Sequence, residues 1–241
     1  MTTLGDELLA LGDVRCNISV PMSDLLTDIR GALAEARIDP YGFKESELVV
    51  FSRQFVWVPQ HLYDDARQRD DLEALCKVEN GHGVFTDHND TIKASLVFSA
   101  DNNLTSAFKI AIPGLKVHCQ HSKMANSTIA DSSDLKSVML MNLRDGETDY
   151  AVFCNKKLQI SNTFSCSNLD EALYHAVNLT KQFHLEDAMM TVAVCGQIDR
   201  ERYARMRPFF PNMVLFTGRP LTFANPEMQH IPAYRYALIL A

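Results

Sequence analysis

The residues of this chain best suited to chemistry gather around one turn. Asp145-Gly146 stands between two apolar runs, with Asn142 before it and Thr148 and Asp149 after it. A glycine-bearing turn can aim consecutive backbone N–H groups at one point, which makes an anion-binding concavity. Carboxylates beside it offer oxygen to a hard cation such as Mg²⁺. Two-metal cleavage of a phosphodiester needs several carboxylates converging on one place, and Asp145, Asp149 and Asp199 are acids available for it. The plainer reading of Asp-Gly between apolar segments is a hairpin turn whose two central positions take positive φ.

Two histidine groups invite a metal. His82, Asp87, His88 and Asp90 fall in residues 80–90, a stretch rich in Gly, His and Asp that reads as a polar loop. His118-Cys119-Gln120-His121 offers two more imidazoles. Positions three apart on a strand point to opposite faces, so His118 and His121 are badly placed to share one ion. Neither group is taken as a metal site. The cysteines Cys16, Cys76, Cys119, Cys154, Cys166 and Cys195 are scattered with no CxxC pair, several of them inside apolar runs. That is how buried reduced thiols are placed. Trp57, between Val56 and Val58, reads as core. No Gly-x-Ser-x-Gly, Walker or dinucleotide fingerprint occurs.

Charge and composition narrow the class. With 30 acidic against 23 basic residues the net charge is −7, which speaks against a partner held mainly by its phosphate backbone. Arg200, Arg202, Arg205 and Arg207 cluster before Pro208 and read as the solvated face of a short helix. The 46% hydrophobic and 22% charged fractions are those of a globular protein, and 241 residues allow one large domain or two modest ones. Residues 137–143 and 189–195, the most apolar stretches, are far shorter than the roughly 20 residues a bilayer span needs. Acids stand where a secretion signal carries bases, so a cytoplasmic location is expected.

The elements that must position these residues are clearest in the second half. Residues 137–143 form a continuous apolar run suited to a buried central strand. The Asp145-Gly146 turn leads to a return strand over 149–154, and 158–164 alternates as a half-exposed third strand. Ser167, Asn168, Asp170 and Glu171 announce a helix carrying Leu169, Ala172, Leu173, Ala176 and Val177 at helical spacing. A buried strand over 189–195, a helix capped by Asp199 and a last strand over 213–217 complete the order. Strands alternating with helices imply a sheet with a parallel portion.

The first half repeats that order loosely. The pattern predicts a strand over 13–20, a helix capped by Ser23, strands over 47–52 and 54–59, and an amphipathic helix over 63–78. A strand over 93–99, a helix over 102–112, a strand over 116–121 and a short helix over 124–130 follow. The Ser- and Asp-rich stretch 125–136 is the expected crossing between the halves.

These residues resemble a bacterial family of unknown function with an actin-like ATPase fold. The most specific stretch is Phe55-Val-Trp57-Val58-Pro59-Gln-His-Leu62-Tyr63-Asp64, ahead of an acidic helix. Leu96-Val-Phe98, the Asp145-Gly146 hairpin, the helix over 168–183, Cys195-Gly196-Gln197 and the terminal Tyr234-Arg235-Tyr236 segment are also similar. The resemblance covers most of the chain. It implies an α/β protein of two ribonuclease-H-like subdomains with mixed sheets flanked by helices, at residues 1–133 and 134–241, facing across a cleft. The first is expected to be incomplete at its N-terminus and to lack its opening strands, leaving an unpaired sheet edge open to strand addition.

The resemblance also implies where a nucleotide would lie. Asn142, Asp145, Gly146, Thr148 and Asp149 have the outline of a phosphate hairpin, and Gly196 with Gln197 stands where a glycine pair backs the adenosine. All seven are candidate ligand-binding residues. However, Asn142 replaces the metal-positioning Asp, Arg144 and Glu147 fill small-residue positions, and Gly196 is single. Phosphoryl transfer rests on positioning and charge stabilisation, so such a set should give little rate. The expected protein is a non-catalytic binding or scaffold module, a pseudoenzyme with no cofactor and no catalytic residues. Its expected partner is a protein or peptide, or a second copy through an exposed sheet edge. A nucleotide-dependent ATPase or kinase with degenerate motifs, or a ribonuclease-H-like nuclease, is the alternative.

Overall fold

Near the chain's start β1 (Thr2–Leu4) pairs antiparallel with β2 (Glu7–Ala10). The computed structural model describes residues 1–4, 7–10, 20–131, 136–185, 190–218, 222–223 and 230–239. The strand expected over 13–20 therefore lies almost wholly outside the described residues. An opening hairpin does exist, but its ladder runs to β13 (Thr222–Phe223), parallel to β2.

Helix α1 (Met22–Glu35) starts two residues earlier than a Ser23 cap would place it, and Ser23 is not its cap. Pro21 sits before it with fixed φ, and its carbonyl accepts from the amides of Asp24 and Leu25. The Ser23 hydroxyl instead donates to Asp24. Leu25 and Ile29 pack against Ala107 and Ala111 of α3 (Asn102–Ala111), where small side chains let the helices approach.

Strand β3 (Glu47–Val50) runs parallel to β7 (Lys116–Cys119), with Val49 opposite His118. Among the described residues these two strands form a two-stranded sheet of their own. The Gln120 side chain extends the pairing, accepting from the Ser52 amide and donating to the Ser52 carbonyl, each at 2.9 Å. Strand β7 ends at Cys119, and His121, expected on a strand, belongs to helix α4 (Gln120–Asp131).

Between β3 and α3 lies a second sheet in the order β4-β6-β5, all antiparallel: β4 (Phe55–Pro59), β5 (His82–Asn89), β6 (Ala94–Asp101). The stretch expected as a polar loop is thus mostly strand β5. Its polar composition hid the pairing with the apolar run of β6, which is what makes it a strand. The helix expected over 63–78 shrinks to a 3-10 turn, Asp65–Arg67, capped by Asp64, and α2 (Gln68–Glu73). In α2 only Leu72 is buried, so little apolar packing supports a longer run of poor helix formers such as Asp70 and Asp71.

The second half matches its expected order. Strands β8 (Ser137–Leu143), β9 (Glu147–Cys154) and β10 (Lys157–Ser165) make an antiparallel meander. Helix α5 (Leu169–Gln182), strand β11 (Met190–Gly196), helix α6 (Arg200–Met206) and strand β12 (Met213–Leu215) follow. The sheet order is β10-β9-β8-β11-β12, with β11 parallel to both neighbours. Asn168 and Asp199 cap α5 and α6 through the amides of Glu171 and Arg202.

One face of this sheet, carrying Met139, Met141, Tyr150, Val152, Val192 and Val194, packs on Ala172, Leu173, Ala176 and Leu179 of α5. The Tyr150 hydroxyl donates to the Ala172 carbonyl at 2.7 Å and ties helix to sheet. The chain divides into two compact units, Met1–Gln120 with Leu221–Pro226, and His121–Pro220 with Glu227–Ala241. Among the described residues no helix is long and apolar enough to cross a membrane.

Candidate functional site

The β8–β9 turn closes with the Arg144 amide donating to the Glu147 carbonyl at 2.9 Å. Only Gly146 crosses to positive φ, at +73°; Asp145 does not, which corrects the expectation that both central residues would. Both are exposed. Gly196, at φ +84°, ends β11 directly beside Leu143, and the Gln197 amide donates to the Leu143 carbonyl at 2.7 Å. A Cβ on Gly196 would collide with that carbonyl and stand 2.6 Å from Asn142 Oδ1, so glycine is required there by space as well as by φ.

Behind the turn, the pleat places Thr163, Asp149, Asn142 and Cys195 in one row across β10, β9, β8 and β11. Directly opposed residues share a face, and all four are buried. Asp149 is the centre of the row. Its Oδ2 accepts from Asn142 Nδ2 at 2.9 Å and Arg144 Nε at 2.8 Å. Its Oδ1 accepts from the other arm of the Arg144 guanidinium at 2.9 Å and from Thr163 Oγ1 at 2.6 Å. A carboxylate offers about four lone-pair positions, and here each oxygen has two donors. Asn142 Oδ1 in turn faces the Cys195 thiol at 3.6 Å.

His121 completes the network from α4. Its Nε2 lies 2.9 Å from Thr163 Oγ1 and its Nδ1 2.7 Å from Ser161 Oγ. Thr163 has one hydroxyl proton and gives it to Asp149, so it must accept from His121 Nε2–H. Nδ1 then carries the lone pair, and Ser161 donates to it.

Burial sets the charges. It pushes the His121 imidazole down to about 4, against the pull of Asp149, so the ring is neutral near pH 7. The 3.9 Å approach of His121 to Asp149 is consequently no ion pair at neutral pH. For Asp149 burial acts upward, but the Arg144 bonds and neighbouring charges outweigh it and hold the carboxyl below its ordinary value. Burial pushes the Cys195 thiol up, and the Asp149 charge adds to it. This is a closed, satisfied charge pair.

Thr148 stands apart from the row. It faces the opposite side of β9, where its hydroxyl meets Cys166 and Tyr150. Of the seven candidate ligand residues, Asn142 and Asp149 are joined in the buried row and Gly196 abuts it. Asp145, Gly146 and Gln197 are exposed, and Thr148 packs against the other layer.

The other groupings disperse. Asp199 is spent as the α6 cap. His82 bonds Ser99, Asp87 bonds His118, His88 bonds Ser95, and Asp90 accepts from Gln60. Among the described residues no group of three His, Cys, Asp or Glu side chains is arranged to hold a metal ion. In the arginine cluster, Arg205 pairs with Asp170 at 2.6 Å and Arg202 donates to the Gln197 carbonyl. Trp57 packs with Leu96 and Phe98, as core.

A family model described as "Protein of unknown function (DUF3822)" matches residues 2–213. The chain belongs to the DUF3822 family. A search of the curated proteins finds no match. Among solved structures, the chain is similar to a Bacteroides thetaiotaomicron protein with an actin-like ATPase fold and unknown function. That likeness has a TM-score of 0.70 at 15% identity over 85% of this chain and 79% of that one. It is also similar to the PilM-PilN type IV pilus biogenesis complex, with a TM-score of 0.53 at 12% identity over 91% of this chain and 83% of that one.

This DUF3822 chain therefore has the fold of actin-like ATPases, in agreement with the motif order. Sequence reasoning missed Thr163, Ser161 and His121 as members of the site. Thr163 carried no local signal, because its alternation with Phe164 groups it with the exposed polar residues and only the register sets it opposite Asp149. His121 carried none, since α4 brings it in from outside the sheet.

Proposed function

We propose that this DUF3822 protein is a non-catalytic actin-like-fold module that binds or scaffolds another protein or a peptide in the cytoplasm. One observation carries the reading. The Asp149 carboxylate, beside the hairpin that would grip a phosphate, is engaged by Asn142, Arg144 and Thr163. A magnesium ion needs oxygen ligands, and would have to displace the Arg144 guanidinium to reach these. Arg144 is held from the other side as well, 2.7 Å from Glu147.

We read residues 1–133 and 134–241 as two actin-like subdomains; the division of the chain into two compact units supports their number, though it falls between Gln120 and His121 and gives Leu221–Pro226 to the first unit. A ligand of the second would meet the carboxyl ends of β8 and β11, where open α/β sheets take their ligands. There Asp145, Gly146 and Gln197 are the exposed contacts, with Asn142, Asp149 and Gly196 as their support and Thr148 bracing the far face. The PilM structure, solved with PilN, supports a protein partner. The net charge of −7 speaks against nucleic acid.

Calorimetry of the full chain with ATP and Mg²⁺ tests the proposal. No heat of binding at millimolar nucleotide is expected, nor any release of phosphate. Micromolar binding, or hydrolysis lost on Asp149→Asn, would overturn it.

A further inference from the structure

Residues 197–218 carry four arginines against two acids, Asp199 and Glu201, in a chain whose net charge is −7. Helix α6 sorts those arginines around its axis. Tyr203 and Met206 pack into the core of the second unit. Arg205 is paired with Asp170 of α5 at 2.6 Å, and Arg202 donates to the Gln197 carbonyl at 2.7 Å. Arg200 and Arg207 fall on the flank away from α5. Helical backbone continues through Arg207, so seven residues bring the two within about 20° of one line, about 10 Å apart. Both are exposed, and among the described residues neither has an acidic partner.

An apolar side chain stands at each end of this flank. Leu215 lies two residues beyond Met213, so it shares the sheet face that packs with Met206 of α6. Its neighbour across the ladder is Val194, close to the end of β11 from which α6 departs. Phe209 follows the helix directly, its amide bonded to the Met206 carbonyl. Phe209 is 56% exposed and Leu215 41%. Cations on a rigid helix beside apolar groups that exclude water suit carboxylates better than cations in open solvent do. A nucleic acid would need a longer basic track than two side chains. An added strand is disfavoured too, because β12 has three residues and the Met213 carbonyl already accepts from the Tyr203 hydroxyl. A helix laid beside α6 meets neither obstacle, and two turns of it match the arginine spacing. We propose that the outer flank of α6 docks an acidic amphipathic helix of a partner protein. Its carboxylates meet Arg200 and Arg207, and its apolar residues cover Leu215 and Phe209. The proposal rests on the reading of this chain as a protein-binding module.

The probe is a fluorescein-labelled synthetic peptide of about four helical turns, with glutamates seven residues apart and leucines on the adjoining face. Titrated with the full chain, its anisotropy should saturate, and the midpoint should rise with salt. Arg200→Glu/Arg207→Glu should weaken binding about tenfold or more, and Phe209→Ser about tenfold. All three positions are exposed, so far-UV circular dichroism should stay unchanged. Absence of binding overturns the proposal, as does binding that the double arginine variant leaves intact. Equal binding of the same peptide with lysines for glutamates overturns it as well. Tighter binding of oligothymidylate would assign the surface to nucleic acid instead. Self-association of the chain that the double variant abolishes would assign it to a second copy. Loss of peptide binding without any nucleotide binding strikes this surface alone, whereas calorimetry with ATP and Mg²⁺ judges the non-catalytic reading separately.

Discussion

Thr163 gives its single hydroxyl proton to Asp149 across 2.6 Å, and that bond decides which nitrogen of His121 is protonated. The direction runs Ser161 to His121 to Thr163 to Asp149, four residues from three elements. The chain ends on a carboxylate whose other lone pairs belong to Asn142 and Arg144. A relay of this form could serve proton transfer. With the imidazole held near 4, far below the operating pH, it is a weak base, and the arrangement suits a rigid core.

Stability should fall with acid in a window set by His121. Its folded value of about 4 lies below the ordinary 6.5, so the unfolded chain binds the extra proton first. The contribution is complete above pH 6.5 and is lost as pH drops toward 4, amounting to about 3 kcal/mol. Asp149, held below its ordinary value, keeps its own contribution until the pH falls lower still. Urea unfolding at several pH values should show the slope, and His121→Gln should flatten it between those limits.

Removing the cation from the closed pair should cost heavily. Arg144→Met leaves Asp149 charged and buried, a loss of about 3–5 kcal/mol, read as a lower urea midpoint at pH 7. Asn142→Asp sets a second buried carboxylate where the 2.9 Å bond to Asp149 now runs. It should destabilise by about 2–4 kcal/mol at neutral pH. Relative to the native chain, that penalty should shrink at pH 5, because one shared proton restores the bond. A penalty independent of pH would mean that the new acid turns away from Asp149.

Two glycines with similar φ should respond unequally to alanine. Gly146, at φ +73°, has open space where a Cβ would go, so Gly146→Ala should cost about 1 kcal/mol, from backbone strain alone. Gly196→Ala adds the collision with the Leu143 carbonyl and should cost more than about 3 kcal/mol. Thermal melts of the two variants side by side check the order.

Thiol reactivity should follow burial. Cys195 is buried with its thiol pushed up, whereas Cys76 and Cys154 are half-exposed. Iodoacetamide with peptide mapping should label Cys76 and Cys154 in the native chain and Cys195 only after unfolding. Early labelling of Cys195 would show that the Asn142–Asp149 row opens.

The sequence by itself determined the second unit's order of strands and helices, the caps Asn168 and Asp199, and the hairpin at Gly146. Those signals are local: an apolar run, a period, a side chain that bonds an amide three residues on. It also showed where the chain departs from the phosphate-hairpin pattern that the resemblance implies, because Asn142 and the single Gly196 are visible as letters. Strand β5 was not legible, since a polar stretch becomes a strand only when β6 lies beside it to take its hydrogen bonds. Nor could spacing show that Arg144 folds back onto Asp149, that Thr163 sits opposite it, or that α4 brings His121 to both hydroxyls. These are contacts between residues up to 40 positions or more apart, set by register and packing. Only the tertiary structure decided that the carboxylate at the heart of the site is already satisfied.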